Sequence, residues 1–400
     1  MYKRQKLNLL KSYTDGANNP YSLAYDSAGN LKTTTKPIGS INNTYDVLNR
    51  LTTVKLSTGE TYSYSYDANN NIISITNNLG TSNFYYDSLD RMVKYKDLYN
   101  QQVLYGYNAV GSKTYIIYSG TDTVKFGYDN ANRLTSVIDW KKNTFTYTYD
   151  SMGRVTKLTY PTGIYADYKY DATGRVLSKY TKYKTNTILY GHSFSYYNDS
   201  VTELRWGSYP TGFASANLTN AYRADDAYLG NAQQKCINDS NGNQTRDING
   251  TDTILYKYAI DQLLQSMSNK GVTTAYGYDA LGHRVMRKVA ASETRFVLDL
   301  NNSLSMVLQS TNSSGQVKAN YIYGLGLLEQ IDSAGNVLFY HFDSRHNTIA
   351  ITDKNDSVKA NYTYLLYGKI TQKTGSIIQP FAFLGEFGVE AETNSTYYIR

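Results

Sequence analysis

From Thr144 to Tyr149 the chain reads Thr-Phe-Thr-Tyr-Thr-Tyr, a strict alternation that places Phe145, Tyr147 and Tyr149 on one face of a β-strand. Asp150-Ser151-Met152-Gly153-Arg154 interrupts the alternation. Val155 to Tyr160 forms a second strand, and Pro161-Thr162-Gly163 is the next turn. Ile164 to Tyr170 is a third strand, closed by Asp171-Ala172-Thr173-Gly174-Arg175. Each such stretch holds two strands and two tight turns, so successive strands are expected to pair antiparallel.

The same unit recurs. Tyr-Asp or a close relative stands at Tyr25-Asp26, Tyr45-Asp46, Tyr66-Asp67, Tyr86-Asp87, Tyr107-Asn108, Tyr128-Asp129, Tyr149-Asp150 and Tyr170-Asp171, at steps of 20 or 21 residues. Eight copies at that spacing identify a repeat protein, which grows in one direction without a single central core. About two strands per 21 residues gives roughly 38 strands, and at about 4.8 Å per strand a ribbon of roughly 180 Å, about one turn of a wide shell.

The turn residues follow from backbone chemistry. The Asp after each Tyr can accept hydrogen bonds from N–H groups two or three residues on. Three residues later, Gly29, Asn49, Asn70, Gly153 and Gly174 suit a left-handed backbone position. Arg50, Arg91, Arg133, Arg154 and Arg175 follow, placed to reach the Asp or to lie over a Tyr ring. A residue type repeated in every unit reads as structural, so Tyr128, Asp129, Arg133, Tyr149, Asp150, Gly153, Arg154, Tyr170, Asp171, Gly174 and Arg175 are taken as a repeat signature. Tyr278-Asp279-Ala280-Leu281-Gly282-His283-Arg284 restates it, contributing Tyr278, Asp279, Gly282 and Arg284.

Regularity is not uniform. Residues 1–180 carry the regular repeats. From 181 to 235 the spacing loosens, Tyr197-Asn198 falling 27 residues after Tyr170, and this reads as an irregular stretch of the same wall. Residues 236–400 regain the pattern. The fold class expected is all-β: an antiparallel YD-repeat sheet spiralling into a shell or open wall. The broad Tyr face suits a partly wet surface, because a Tyr ring packs while its hydroxyl finds water or a backbone partner; a hollow wall offers that, although a solid stacked solenoid would use Tyr too.

These units resemble the YD repeats of Rhs proteins, wall-associated bacterial toxins, Tc toxin C components and teneurins. Asp239 to Gln265 resembles the DxNGNxTxD…YxxxxQL stretch near the end of Rhs repeat regions. Tyr340-His341-Phe342-Asp343, then Thr348 to Asp353, then Tyr362 to Gly368 resemble the Rhs core-associated region. Phe381 to Glu386 and Tyr397-Tyr398-Ile399-Arg400 are similar to its FxFxGQ…YYxR ending. The core positions so assigned are Tyr340, His341, Asp343, Tyr367, Gly368, Gly385, Tyr397, Tyr398 and Arg400.

The chain departs from the family in carrying Arg345-His346-Asn347 where Leu-Gly-Ser usually follows the core Asp, which puts the local turn in question. It also stops at Arg400, before the self-cleavage segment and variable toxin that the family usually carries next, so no catalytic residue is carried over. The resemblance implies a β-cocoon that encloses and helps deliver a C-terminal toxin cargo of the same parent chain, secreted or at the cell surface, in concert with delivery machinery.

Composition adjusts this picture in a few places. Tyr makes up 43 of 400 residues against 11 Phe and 2 Trp, a strand-favouring bias. The net charge of +7 is scattered, which argues against a nucleic-acid stripe. Cys236 is the sole cysteine, so no intrachain disulfide forms and no activated nucleophile pair is evident. No stretch reaches the ~20 apolar residues of a membrane helix. His341, Asp343 and His346 invite a metal-site reading, but the core motif accounts for the first two without one, and no metal or cofactor is expected. Walker, GxSxG and HExxH motifs are absent. A cell-surface adhesion module binding glycans through Tyr and Asn is the alternative function; a hydrolase lacks any paired-carboxylate or nucleophile signature.

Overall fold

A computed structural model describes residues 9–15, 18–118, 120–196, 235–302, 304–365, 368–377, 379–392 and 397–398 in full. It gives the backbone course alone at 2–4, 197, 200–206, 221–222, 228–230 and 234. Most of the irregular 181–235 stretch therefore lies outside the residues described with side chains, as do Tyr367 and Arg400.

Among the described residues the strands number 38, matching the roughly 38 expected from the repeat. They form a 20-stranded sheet from Tyr2–Arg4 to Ser200–Trp206 and a 16-stranded sheet from Ala221–Tyr222 to Ile370–Thr374. A two-stranded sheet pairs Glu390–Ala391 with Tyr397–Tyr398. The pairing is antiparallel between sequence neighbours: Thr144–Tyr149 lies against Val155–Thr159, with Tyr147 opposite Leu158 and a bulge at Thr148/Tyr149. The sheets are open, and among the described residues a short 3₁₀ turn, Gly385–Phe387, interrupts the strands.

The turns explain that bulge. Asp150 N–H donates to the Arg154 carbonyl and Gly153 N–H to the Asp150 carbonyl, each at 3.0 Å. Gly153 adopts φ +80°. This is a three-residue hairpin loop, a type I turn followed by a left-handed residue, and its twist matches that of the flanking strands. Asn49, Asn70 and Asn132 occupy the left-handed position at φ +61°, +70° and +60°, a conformation Asn tolerates. At the opposite strand ends some turns use the same bonds, as at Tyr160–Ile164 with Gly163 at φ +91°, and others are two-residue loops, as where Lys36 pairs with Gly39 and Asn77 with Gly80.

The chain divides into two compact units, residues 1–101 with 214–296 and residues 102–213 with 297–400. In each, strands of the two long sheets meet face to face. In the first unit, Tyr64 donates its hydroxyl to the Ala280 carbonyl at 2.8 Å, Asn77 its amide to the Tyr278 carbonyl at 2.7 Å, and Lys36 its ammonium to the Ile260 carbonyl at 2.9 Å. In the second, Phe145 packs edge-on to Phe339 with ring centroids 5.8 Å apart. Tyr118 and Tyr160 donate hydroxyls to the Tyr321 and Tyr340 carbonyls at 2.6 and 2.7 Å. Of the two settings the Tyr face allowed, the packed one describes these contacts. Tyr is used because its ring fills the inter-sheet layer while its hydroxyl satisfies a backbone carbonyl across it.

Candidate functional site: the repeat edge and the C-terminal core motif

Each repeat turn is a closed set of bonds that also reaches its neighbour. Asp150 Oδ1 accepts from Met152 N–H at 3.0 Å and Arg154 N–H at 2.9 Å, two and four residues on. Its Oδ2 takes Arg154 Nε–H at 2.6 Å. Arg154 then spans to the next repeat, donating Nη1–H to the Asp171 carbonyl at 3.1 Å and laying its guanidinium 4.6 Å from the Tyr170 ring centroid. Tyr170 reaches back, donating its hydroxyl to the Val155 carbonyl at 2.8 Å.

The arrangement repeats. Asp129 holds Arg133, which bonds the Asp150 carbonyl and lies over Tyr149, whose hydroxyl bonds the Leu134 carbonyl at 2.6 Å. Tyr128 bonds the Lys113 carbonyl at 2.8 Å, and Arg175 pairs with Asp171 and covers Tyr196. Gly174 takes φ +92°. The YD signature is thus a ladder of ties between successive turns along one rim.

These bonds set the charge state of the rim. Backbone N–H and guanidinium donors hold the Asp129 and Asp150 carboxyls below the ordinary carboxylate value. At Asp171 burial opposes the shift, and the bonds from Arg175 and Thr173 prevail. Where Arg is replaced, an amide serves: Asn71 donates to Asp67 from both its backbone and its side chain.

The later copy rearranges one member. Tyr278 bonds the Leu264 carbonyl at 3.0 Å, Asp279 Oδ1 accepts from Leu281 and His283 N–H, and Gly282 takes φ +85°. However, His283 occupies the repeat Arg position, its Nδ1 2.9 Å from Asp279 Oδ2. Arg284, grouped with the signature from sequence, begins the next strand and points into the core, 1% exposed, with its guanidinium 5.2 Å from the Tyr276 ring. Strand alternation sends the residue after the turn inward, and reading the motif as ending in Arg missed it.

The core motif proves to be a further turn of the same kind. Asp343 Oδ1 accepts from Arg345 and Asn347 N–H at 2.8 Å, and Oδ2 from the Asn347 amide at 3.0 Å. His346 takes the left-handed place at φ +66°, so the departure from Leu-Gly-Ser leaves the turn type intact. Tyr340 is fully buried and donates to Gln330 Oε1 at 2.7 Å. His341 is buried beside Tyr160, its Nε2 2.8 Å from Thr352 Oγ1; burial pulls its pKa down to about 3, so it is neutral. Gly368 and Gly385 have no room for a side chain, since a Cβ would lie 2.5 Å from the Phe383 ring and 2.4 Å from Thr348 Oγ1. Tyr397 donates its hydroxyl to the Gly368 carbonyl, and Tyr398 pairs with Glu390.

Sequence reasoning missed what this region clamps. Lys179, 7% exposed on strand Val176–Lys182, donates to the Asp343 carbonyl at 3.0 Å and stands 3.9 Å from Glu386 Oε2. Glu386 also accepts from His346 Nδ1 at 2.8 Å. Burial alone would lower the Lys179 pKa, but Tyr168, Glu386 and Asp343 hold it above the ordinary lysine value; burial likewise opposes Glu386, and Lys179 with His346 holds it low. Glu386 stands where the family pattern has Gln, a substitution that signalled a charge needing a partner. The pair lines a cleft of about 200 Å³ walled by Tyr147, Tyr160 and Tyr168.

His341, Asp343 and His346 do not converge: the first faces Thr352, the second caps its own turn and the third faces Glu386. Among the described residues no group of three or more His, Cys, Asp or Glu side chains is placed to hold a metal. Cys236 is buried, and burial pushes its thiol up to about 11, away from nucleophilic use. Among the described residues no helix is long and apolar enough to cross a membrane.

This architecture is that of a YD-repeat β-shell. Residues 13–166 match the family model "Teneurin YD-shell". The chain is 30% identical over 182 residues to the tRNA3(Ser)-specific nuclease WapA of Bacillus spizizenii, covering 44% of this chain and 7% of that protein. It is 29% identical over a segment of the same length to the tRNA nuclease WapA of Bacillus subtilis. Among solved structures, TcdB2–TccC3 without its hypervariable C-terminal region superimposes with a TM-score of 0.71 at 11% identity, over 98% of this chain and 26% of that one. The Photorhabdus luminescens Tc holotoxin pore gives 0.63 at 12% identity, over 99% and 27%. The likeness to Rhs and other YD-repeat proteins read from the residues is thereby shown, and the fold is that of the Tc toxin shells. The chain spans less than a tenth of the curated relatives it matches.

Proposed function

We propose that this chain is a structural wall segment of an Rhs-type toxin shell, which encloses and helps deliver a C-terminal toxin domain carried by the same parent chain. The observation that carries the reading is the rim ladder, in which Asp129 and Asp150 are spent on their own turns while Arg133, Arg154 and the Tyr149 and Tyr170 hydroxyls tie each turn to its neighbour. Residues committed in this way serve a continuous wall and leave no repeated group for catalysis, so the chain itself acts as no enzyme. Residues 1–180 supply regular wall, 181–235 an irregular stretch and 236–400 the late repeats with the core motif. The Lys179–Glu386 clamp, which ties the core motif to strand Val176–Lys182, supports a role for that motif as the plug or exit end. A secreted or cell-surface location and an association with delivery machinery follow from this reading.

The adhesion alternative needs open aromatic platforms for glycans. The rings of Tyr66, Tyr149, Tyr170 and Tyr196 each carry a guanidinium 4.3–4.8 Å from the centroid, which occupies one face of each ring. Electron cryomicroscopy of the native gene product tests the choice. The container reading expects a closed lumen holding density for additional polypeptide; an open, empty sheet that binds a glycan array saturably overturns it.

A further inference from the structure

The contact between the two sheets in the unit of residues 102–213 and 297–400 contains a pair of buried acids, Asp139 and Glu329. Asp139, 3% exposed, caps the turn that follows strand Leu134–Ile138; its Oδ1 accepts from Asn143 N–H at 2.7 Å and its Oδ2 from the Asn143 amide at 2.9 Å. Glu329, 0% exposed, comes from strand Leu327–Asp332 of the other sheet, and its Oε1 accepts from the same Asn143 nitrogen at 2.9 Å. One amide thus bridges two carboxyls that approach from opposite sheets. The second oxygen, Glu329 Oε2, is buried and has no donor.

Two negative charges cannot share this position. A carboxylate stripped of water is costly, and a like charge beside it adds repulsion. Lys141, the cation that acts on Glu329 among the described residues, donates instead to the Gly335 carbonyl at 2.9 Å, and Tyr118 is committed to the Tyr321 carbonyl. A cation seated between the acids would face the Asn143 amide donors, which repel it. A proton on the acid whose free oxygen lacks a donor resolves both costs.

We infer that Glu329 is held protonated at neutral pH and, with Asp139 and Asn143, forms a proton-dependent latch between the two sheets of this unit, closed in acid and at neutrality and loosened as pH rises. The charged and titratable groups that face Glu329 are Asp139, Lys141 and Tyr118; burial, then Asp139, raises its pKa well above the ordinary glutamate value, while Asn143 and Lys141 oppose the shift. A carboxyl whose folded pKa is raised binds more protons folded than unfolded. Stability therefore falls as pH rises from the unfolded value, about 4.3, up to the folded one. Asp97, also raised by burial, to about 6, finishes titrating below the window that isolates Glu329.

The test compares unfolding of the native protein and Glu329→Gln, which mimics the neutral acid, between pH 7 and 9. The latch predicts that the unfolding constant of the native protein rises relative to the variant by up to about tenfold per pH unit. Parallel profiles overturn it, as does destabilisation of the native protein by EDTA that spares Glu329→Gln, which would place a cation between the acids. Should the variant fail to fold, infrared spectroscopy of the native protein at pH 8 decides. A protonated-carboxyl carbonyl band supports the latch, and its absence overturns it.

Discussion

The repeat Tyr does two jobs that Phe could not. Its ring fills the layer between sheets or lies under an arginine, and its hydroxyl ends on a backbone carbonyl. Tyr160 shows the cost most directly, since its bond to the Tyr340 carbonyl is wholly buried. Tyr160→Phe is expected to destabilise by about 1–3 kcal/mol, because that carbonyl loses its donor away from water; urea unfolding measures it. Arg154→Lys keeps the charge but loses the planar fork that holds Asp150, the Asp171 carbonyl and the Tyr170 ring together. It should lower the melting temperature, whereas Lys157→Arg on the adjacent strand should leave it nearly unchanged. Equal melting of both variants would remove the rim ladder from the account.

At the scale of the element, the hairpin is set by its left-handed residue. Gly153→Ala, at φ +80°, is expected to cost about 1 kcal/mol or more, and Asn132→Gly, at φ +60°, to be nearly neutral, by thermal melting. Phe145→Ala should cost about 3–5 kcal/mol, since the ring is fully buried against Tyr160 and Phe339. Much of this was legible in the residues. Period-two alternation around Phe145 gave strand and face, and Asp150 with Gly153 gave the turn. What was not legible depended on contacts far along the chain. Nothing near Lys179 announces Glu386, and nothing near Asp139 announces Glu329, because a repeat of local hairpins does not say which strands of one sheet will cover the other. Arg284 misled for a different reason: its place beside the motif hid the inward turn of the strand that it begins.

For the whole molecule, pH reports both kinds of acid at once. The rim carboxyls, including Asp46, Asp87, Asp129, Asp150 and Asp171, have folded pKa values lowered by their donors. Their stabilisation is fully present above the unfolded value, about 3.9, and is lost as pH falls through the lower folded values. Glu329 acts in the opposite sense toward alkaline pH. Stability should therefore peak at about pH 4, falling below it as the rim carboxyls protonate and declining steadily above it as the raised Glu329 and Asp97 lose their contribution; thermal melts across about pH 3–9 trace it.

The central claim is that this wall surrounds a cargo made on the same parent chain. Intact mass measurement of the native gene product after gel filtration tests it most directly. The account predicts a smaller C-terminal fragment that has been cleaved from the large one yet elutes with it. A single uncleaved mass, with no discrete domain following the repeats, would contradict it.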